Sequence, residues 1–110
     1  MIELTVRRYL AGVLSVPVRM EMPECLPDSF VLVEKTAGGE TDHIRRATLA
    51  VQSYAPSLVD AAALNEQVKA ALCAMPDTEN IGGAKLNSDY NFTDTAMKRY
   101  RYQAVFDFTY

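Results

Sequence analysis

The last eleven residues constrain the fold most. Tyr100, Tyr102, Ala104, Phe106, Phe108 and Tyr110 alternate with Arg101, Gln103, Val105, Asp107 and Thr109. Successive side chains of an extended chain point to opposite faces, so this pattern builds one aromatic face and one mixed, largely polar face. A strand of this kind needs partners for its backbone groups and an apolar layer over its aromatic side. The rest of the chain has to supply both.

Two amphipathic stretches supply the cover. Between Ser57 and Pro76, Ala61, Leu64, Val68, Ala71, Leu72 and Met75 recur at helical spacing, with Asn65, Glu66 and Lys69 assigned to the solvent side. Ser57 is placed to accept from the first free N–H groups, Asp60 completes a capping-box pattern, and Pro76 stops the helix. Near the start, Ile2, Val6, Tyr9, Leu10 and Val13 share a face opposite Glu3, Arg7 and Arg8, which predicts a helix over residues 2–13.

Strands account for most of the remainder. Val16, Val18, Met20 and Met22 alternate with Pro17, Arg19 and Glu21; Pro17 lacks an N–H donor and puts this segment at a sheet edge. Phe30 to Lys35 is a nearly continuous apolar run suited to an inner strand. Residues 36–42 read as a hairpin turn without an apolar anchor, in which Gly38 and Gly39 permit positive φ at the tip. The return strand covers residues 43–54, with Leu49 and Val51 on one face and Arg46, Thr48, Gln52 and Tyr54 on the other. Residues 77–98 are polar and irregular apart from a strand over 84–90. The expected fold is α+β: one domain over residues 1–110, a mostly antiparallel twisted sheet of four or five strands with both helices on one face, in the order α-β-β-β-α-β-β. A chain of 110 residues, 49% of it hydrophobic, suits one domain.

The residue inventory excludes more than it assigns. Eleven basic against fourteen acidic residues, a net charge of -3, argue against a dedicated nucleic-acid binder. His43 is the only imidazole, and Asp42 beside it would point to the opposite face of a strand, so the pair makes no catalytic relay. His43, Cys25 and Cys73 lack the spacing of a zinc site. Gly38-Gly39 and Gly82-Gly83 lack the Lys-Ser/Thr of a phosphate loop. No catalytic residue, cofactor or metal is therefore expected. The two cysteines sit among apolar residues and are expected to be buried, unpaired and kept in a reducing compartment. Arg7-Arg8 before residues 9–18 superficially resembles a signal sequence. Glu3 upstream, Pro17 inside the run and the lack of an A-x-A site argue for an unprocessed, soluble chain. The longest uncharged stretch, Ala47 to Val59, has 13 residues, against about 18 for a bilayer span.

The order of motifs resembles a known family. A first helix leads to Val16-Pro17-Val18, then to Pro27-Asp28-Ser29-Phe30-Val31-Leu32-Val33 and the Gly38-Gly39 pair. A strand ending in residues 50–55 (Ala-Val-Gln-Ser-Tyr-Ala) precedes an Ala-rich helix, and residues 98–105 (Lys-Arg-Tyr-Arg-Tyr-Gln-Ala-Val) open an aromatic strand. This arrangement resembles the small tail terminator (tail completion, head–tail joining) proteins of long-tailed phages and prophages, over almost the whole chain. The resemblance implies a structural role without catalysis. Subunits would assemble in the host cytoplasm into a ring, typically sixfold, on the head-proximal end of the tail tube in the virion. The ring would stop tube growth and present a surface to the head connector, with DNA passing through its lumen unbound. Alternatives are another neck adaptor or minor tail protein and, from a different class, a dimeric α+β ligand-binding or regulatory module.

No diagnostic residue carries over from that family, so interface candidates come from charge and position. They are Gly38, Gly39, Glu40, Asp42, Arg45 and Arg46 of the hairpin; Arg99 and Arg101 on the face of the last strand expected to stay wet; and Asp89 and Asp94 as acidic partners on a loop reaching a neighbouring subunit.

Overall fold

A computed structural model describes residues 1–96 and 99–110; Lys98, part of the family-like motif, lies outside the described residues. Helix α1 (Ile2–Val13) forms over the expected range, with Ile2, Val6 and Leu10 buried and Leu14 closing it through an N–H bond to the Leu10 carbonyl. After it, β1 (Val18–Arg19) is only two residues long and pairs parallel with β2 (Phe30–Thr41). The longer strand expected over residues 16–22 does not form. Pro17 has no N–H to give, although its carbonyl accepts from the Val31 N–H at 2.9 Å, and beyond Arg19 the chain leaves the sheet.

β2 pairs antiparallel with β3 (Ile44–Ala55), and their hairpin corrects the expected turn. The ladder continues through Gly38↔Ala47, Gly39↔Arg46, Glu40↔Arg45 and Thr41↔Ile44. The turn is Asp42-His43, with φ of 53° and 67°, and no glycine has positive φ. A two-residue turn with both φ positive matches the right-handed twist of the flanking strands, and Asp and His tolerate that region better than most residues.

Helix α2 (Leu58–Ala74) starts as expected: the Ser57 side chain accepts from the Asp60 N–H at 3.1 Å. A 3₁₀ turn over Met75–Asp77, containing Pro76, ends it. Then come β4 (Gly83–Asn91) and β5 (Tyr100–Thr109). The sheet order is β1-β2-β3-β5-β4, antiparallel throughout except at β1–β2. The fold is a single α+β domain with a five-stranded mixed sheet.

Both helices lie on one face. Val6 and Leu10 of α1 and Leu64, Val68 and Leu72 of α2 share a core with Val31, Val33, Leu49, Val51, Ala104, Phe106 and Phe108. The other face of the sheet carries no helix among the described residues. A smaller apolar cluster of Phe30, Leu32 and Tyr54, with Leu26 against it, sits there at one end.

Three assignments of exposure are overturned. Val13, expected on the apolar face of α1, is exposed. Asn65 is buried, 1% exposed, and its Nδ2 donates to Asp89 on β4 at 3.1 Å. Cys25 and Cys73 are free but exposed. Cys25 lies on the 20–29 connection outside the core, and Cys73 lies on the side of α2 away from Leu72. Both thiols are expected to react with an aromatic disulfide reagent in the native protein, within the time taken by an unfolded control. A native protein that protects either thiol would contradict this exposure. Equal melting temperatures with and without chelator and reductant are expected as well.

Candidate functional site

The ten candidate residues do not converge. Asp89 lies mid-sheet, opposite Ala104 of β5, and the other nine divide between the two ends of an elongated molecule of 44 × 25 × 24 Å. Gly38, Gly39, Glu40, Asp42, Arg45 and Arg46 lie at the far end of the β2–β3 ribbon. Every residue from Glu34 to Arg46 is exposed, whereas Phe30–Val33 and most of β3 after Arg46 are buried. Arg45 and Arg46 alternate faces as expected. The Arg45 guanidinium lies 5.8 Å from the centre of the Tyr110 ring, while Arg46 faces the helix-free side.

Asp89 is not available to a neighbour in the way expected. It belongs to β4, as the strand expected over 84–90 implies and the loop placement does not, and its carboxylate is bound within its own subunit. Asn65 Nδ2 donates to it at 3.1 Å and Lys69 Nζ at 2.8 Å. The hydrogen bond to Asp89, and next that to Glu66, raises the Lys69 ammonium above its ordinary range. This cluster ties β4 to α2. The spacing of Asn65, four residues after Ala61 and three before Val68, is the sequence signal that marks it as stripe rather than solvent side.

At the end opposite the ribbon tip, the face of β5 expected to be wet is partly covered. Arg101 reaches across it: its guanidinium sits 4.2 Å from the Phe92 ring centre and 5.5 Å from that of Tyr54. Its Nε donates to the Phe92 carbonyl at 2.7 Å and its Nη1 to the Tyr54 hydroxyl at 2.9 Å. From there a directed chain of hydrogen bonds crosses three strands. The Tyr54 O–H donates to Gln52 Oε1, Gln52 Nε2 to Gln103 Oε1, and Gln103 Nε2 to the Tyr90 hydroxyl. Gln52 and Gln103 are buried by it, 6% and 8% exposed. The chain was invisible in the sequence, although Gln52 and Gln103 stood on the expected polar faces.

Arg99 and Asp94 form a backbone bridge beside this cluster, and Arg99 Nη1 donates to the Pro27 carbonyl at 3.4 Å. Together with Met22, Leu26, Phe30, Tyr54 and Arg101 they border a small, mainly apolar hollow of ≈ 140 Å³. Phe30 and Tyr54 stack at its base with ring centres 4.5 Å apart.

A second, much wider hollow of ≈ 760 Å³ lies on the helix-free face near the ribbon, floored by small residues such as Gly39, Gly83 and Ala84 and flanked by Arg46 and Lys85. At its edge Asp107 accepts from Thr48 Oγ1 at 2.7 Å and Asn87 Nδ2 at 3.0 Å. The Thr48 bond first, then the Asn87 bond, holds the Asp107 carboxyl below its ordinary range. A carboxyl depressed in the folded state contributes stability above its unfolded pKa, about 3.9, and that contribution is lost as pH falls through the folded value. Asp107→Asn is therefore expected to flatten the acid limb of melting temperature against pH below about pH 4. An unchanged acid limb would remove Asp107 from the groups that govern it.

Among the described residues no group of three or more His, Cys, Asp or Glu side chains is arranged to hold a metal. No helix among them is long and apolar enough to cross a membrane. The chain matches no protein-family model and no curated protein.

Proposed function

We propose that this chain is a structural, non-catalytic phage assembly protein: a tail terminator whose copies form a ring on the head-proximal end of the tail tube, end tube growth and present a joining surface to the head connector. The observation that carries this reading is the β2–β3 ribbon. Its outer half, Glu34 to Arg46, is exposed residue by residue yet keeps an unbroken ladder to the turn apart from one bulge. Ordering a chain segment costs conformational entropy that exposed residues do not repay alone, and contact with another subunit would repay it. The order of sequence motifs supports the family, and the α+β fold is compatible with it.

The test is electron microscopy of virions made without this gene. Overlong tubes are expected. Tails of normal length that remain unjoined to heads would assign the protein to the neck as an adaptor instead. Normal, infectious particles would refute both.

A further inference from the structure

The small hollow at the end of the molecule opposite the ribbon tip has a buried, fixed base. Phe30 and Tyr54, 0% and 3% exposed, stack there with their ring planes 7° apart. Met22 and Leu26, from the connection between β1 and β2, line the hollow beside them. The Tyr54 hydroxyl is held from both sides: it accepts from Arg101 Nη1 at 2.9 Å and donates to Gln52 Oε1 at 3.2 Å. Side chains held in this way lose little further freedom when a ligand arrives. The hollow measures ≈ 140 Å³ and is mainly apolar. An apolar space of about 150 Å³ holds a six-carbon ring.

Its charged lining is net positive. Arg99, in the bridge to Asp94, and Arg101, on β5, are alternate residues of an extended segment and project to the same side of the sheet. Neither is ion-paired among the described residues. Arg101 uses its Nε and Nη1 on Phe92 and Tyr54, and Arg99 uses its Nη1 on Pro27. A guanidinium has five N–H donors in a fixed fork, so the Nη2 of each arginine remains open to an anion. Asp94 is the single carboxylate among the lining residues, and it accepts from the Ala96 N–H at 3.0 Å. One carboxylate does not cancel two guanidiniums.

We infer that this hollow binds a small monocarboxylate whose apolar body is the size of one six-membered ring, an arylacetate for example. The body lies against the Phe30–Tyr54 pair, and the carboxylate meets the open donors of Arg99 and Arg101. A neutral ligand of the same shape gains the apolar contact alone. A second negative charge would be opposed by Asp94, and a body larger than one ring exceeds the volume. These residues stand at the end away from the ribbon, so the inference goes beyond the assembly role and does not depend on it.

A titration of the isotope-labelled full chain with sodium phenylacetate at constant ionic strength, followed by amide NMR shifts, tests it. A ligand of about ten non-hydrogen atoms with ordinary efficiency binds at about millimolar concentration. Saturable shifts are expected at the amides of Leu26, Phe30, Tyr54 and Arg101. Phenylacetamide in place of phenylacetate, and Arg99→Gln in place of the wild type, are each expected to weaken binding about fivefold, the upper end for an ion pair open to water. Arg46→Gln, at the ribbon, is expected to leave it unchanged. If Arg99→Gln lowers the melting temperature, Met22→Glu takes its place: Met22 is 53% exposed, and the substitution sets a like charge beside the ligand. Shifts that stay linear to about 50 mM, well beyond that range, overturn the inference. So does equal affinity for phenylacetamide, or binding that neither Arg99→Gln nor Met22→Glu weakens. Glycylglycylphenylalanine carries the same ring and carboxylate at a chain end. Binding of that peptide about tenfold tighter than phenylacetate would assign the hollow to the end of a protein chain and overturn the small acid as its ligand.

Discussion

Replacing Phe106 with Ala is expected to destabilise the fold by about 3–5 kcal/mol, a large part of the roughly 5–15 kcal/mol available to a domain. Phe106 is fully buried on β5, the strand between β3 and β4, where it pairs with Leu49 on one side and Leu86 on the other. Its ring lies 6.1 Å from that of Phe108, and Leu64, Val68 and Leu72 of α2 share the same core. Because three strands and a helix meet there, the space left by the ring cannot close by movement of any single element. A urea denaturation curve followed by circular dichroism reads the change. A loss below about 1 kcal/mol would show that the core repacks around the gap, against the behaviour of rigid interiors.

Gln103→Leu is the second large effect, about 1–3 kcal/mol. Gln103 both accepts from Gln52 and donates to Tyr90, so the substitution leaves the buried Gln52 amide without its acceptor. Leaving one buried polar group unpaired costs more than removing both members of a pair. The double variant Gln52→Leu/Gln103→Leu is accordingly expected to lose less than the sum of the single losses. The coupling should be about 0.5–3 kcal/mol, the range for side chains in one network. Strict additivity in the same denaturation measurement would mean that the two amides do not depend on each other.

The sequence announced those elements whose apolar period is long and uninterrupted. α2 showed its stripe, its cap and its stop, and β5 showed ten residues of alternation. Local chemistry was less reliable where two residue types competed for one task. Gly38 and Gly39 advertised a turn, yet Asp42 and His43 make it, because the register of the ladder rather than backbone permissiveness decides where a hairpin reverses. Pro17 did mark an edge, but the alternation after it had no neighbouring strand to join.

The charged candidates were legible as residues and illegible as pairs. Asp89 belongs to Lys69 and Asn65, and Arg101 belongs to the Phe92 ring and to the ring and hydroxyl of Tyr54. Those partnerships span about 10 to 50 positions of sequence, and no local pattern encodes them. The hollow at Phe30 and Tyr54 arises in the same way, from a connection, three strands and a loop that meet only in the fold.

The two-residue length of β1 has a consequence for handling the protein. Among the described residues β2 beyond Leu32 has no strand on its outer side, and β4 ends the sheet on the other, so two rows of backbone donors and acceptors are open to any passing strand. Each of these two strands is broken by a bulge, between Lys35 and Ala37 in β2 and between Leu86 and Ser88 in β4, and each carries a lysine next to it, Lys35 and Lys85. Bulges and lysines are the devices that stop sheets from stacking edge to edge into fibrils. A chain built this way holds its backbone out of indiscriminate edge-to-edge pairing even at high concentration.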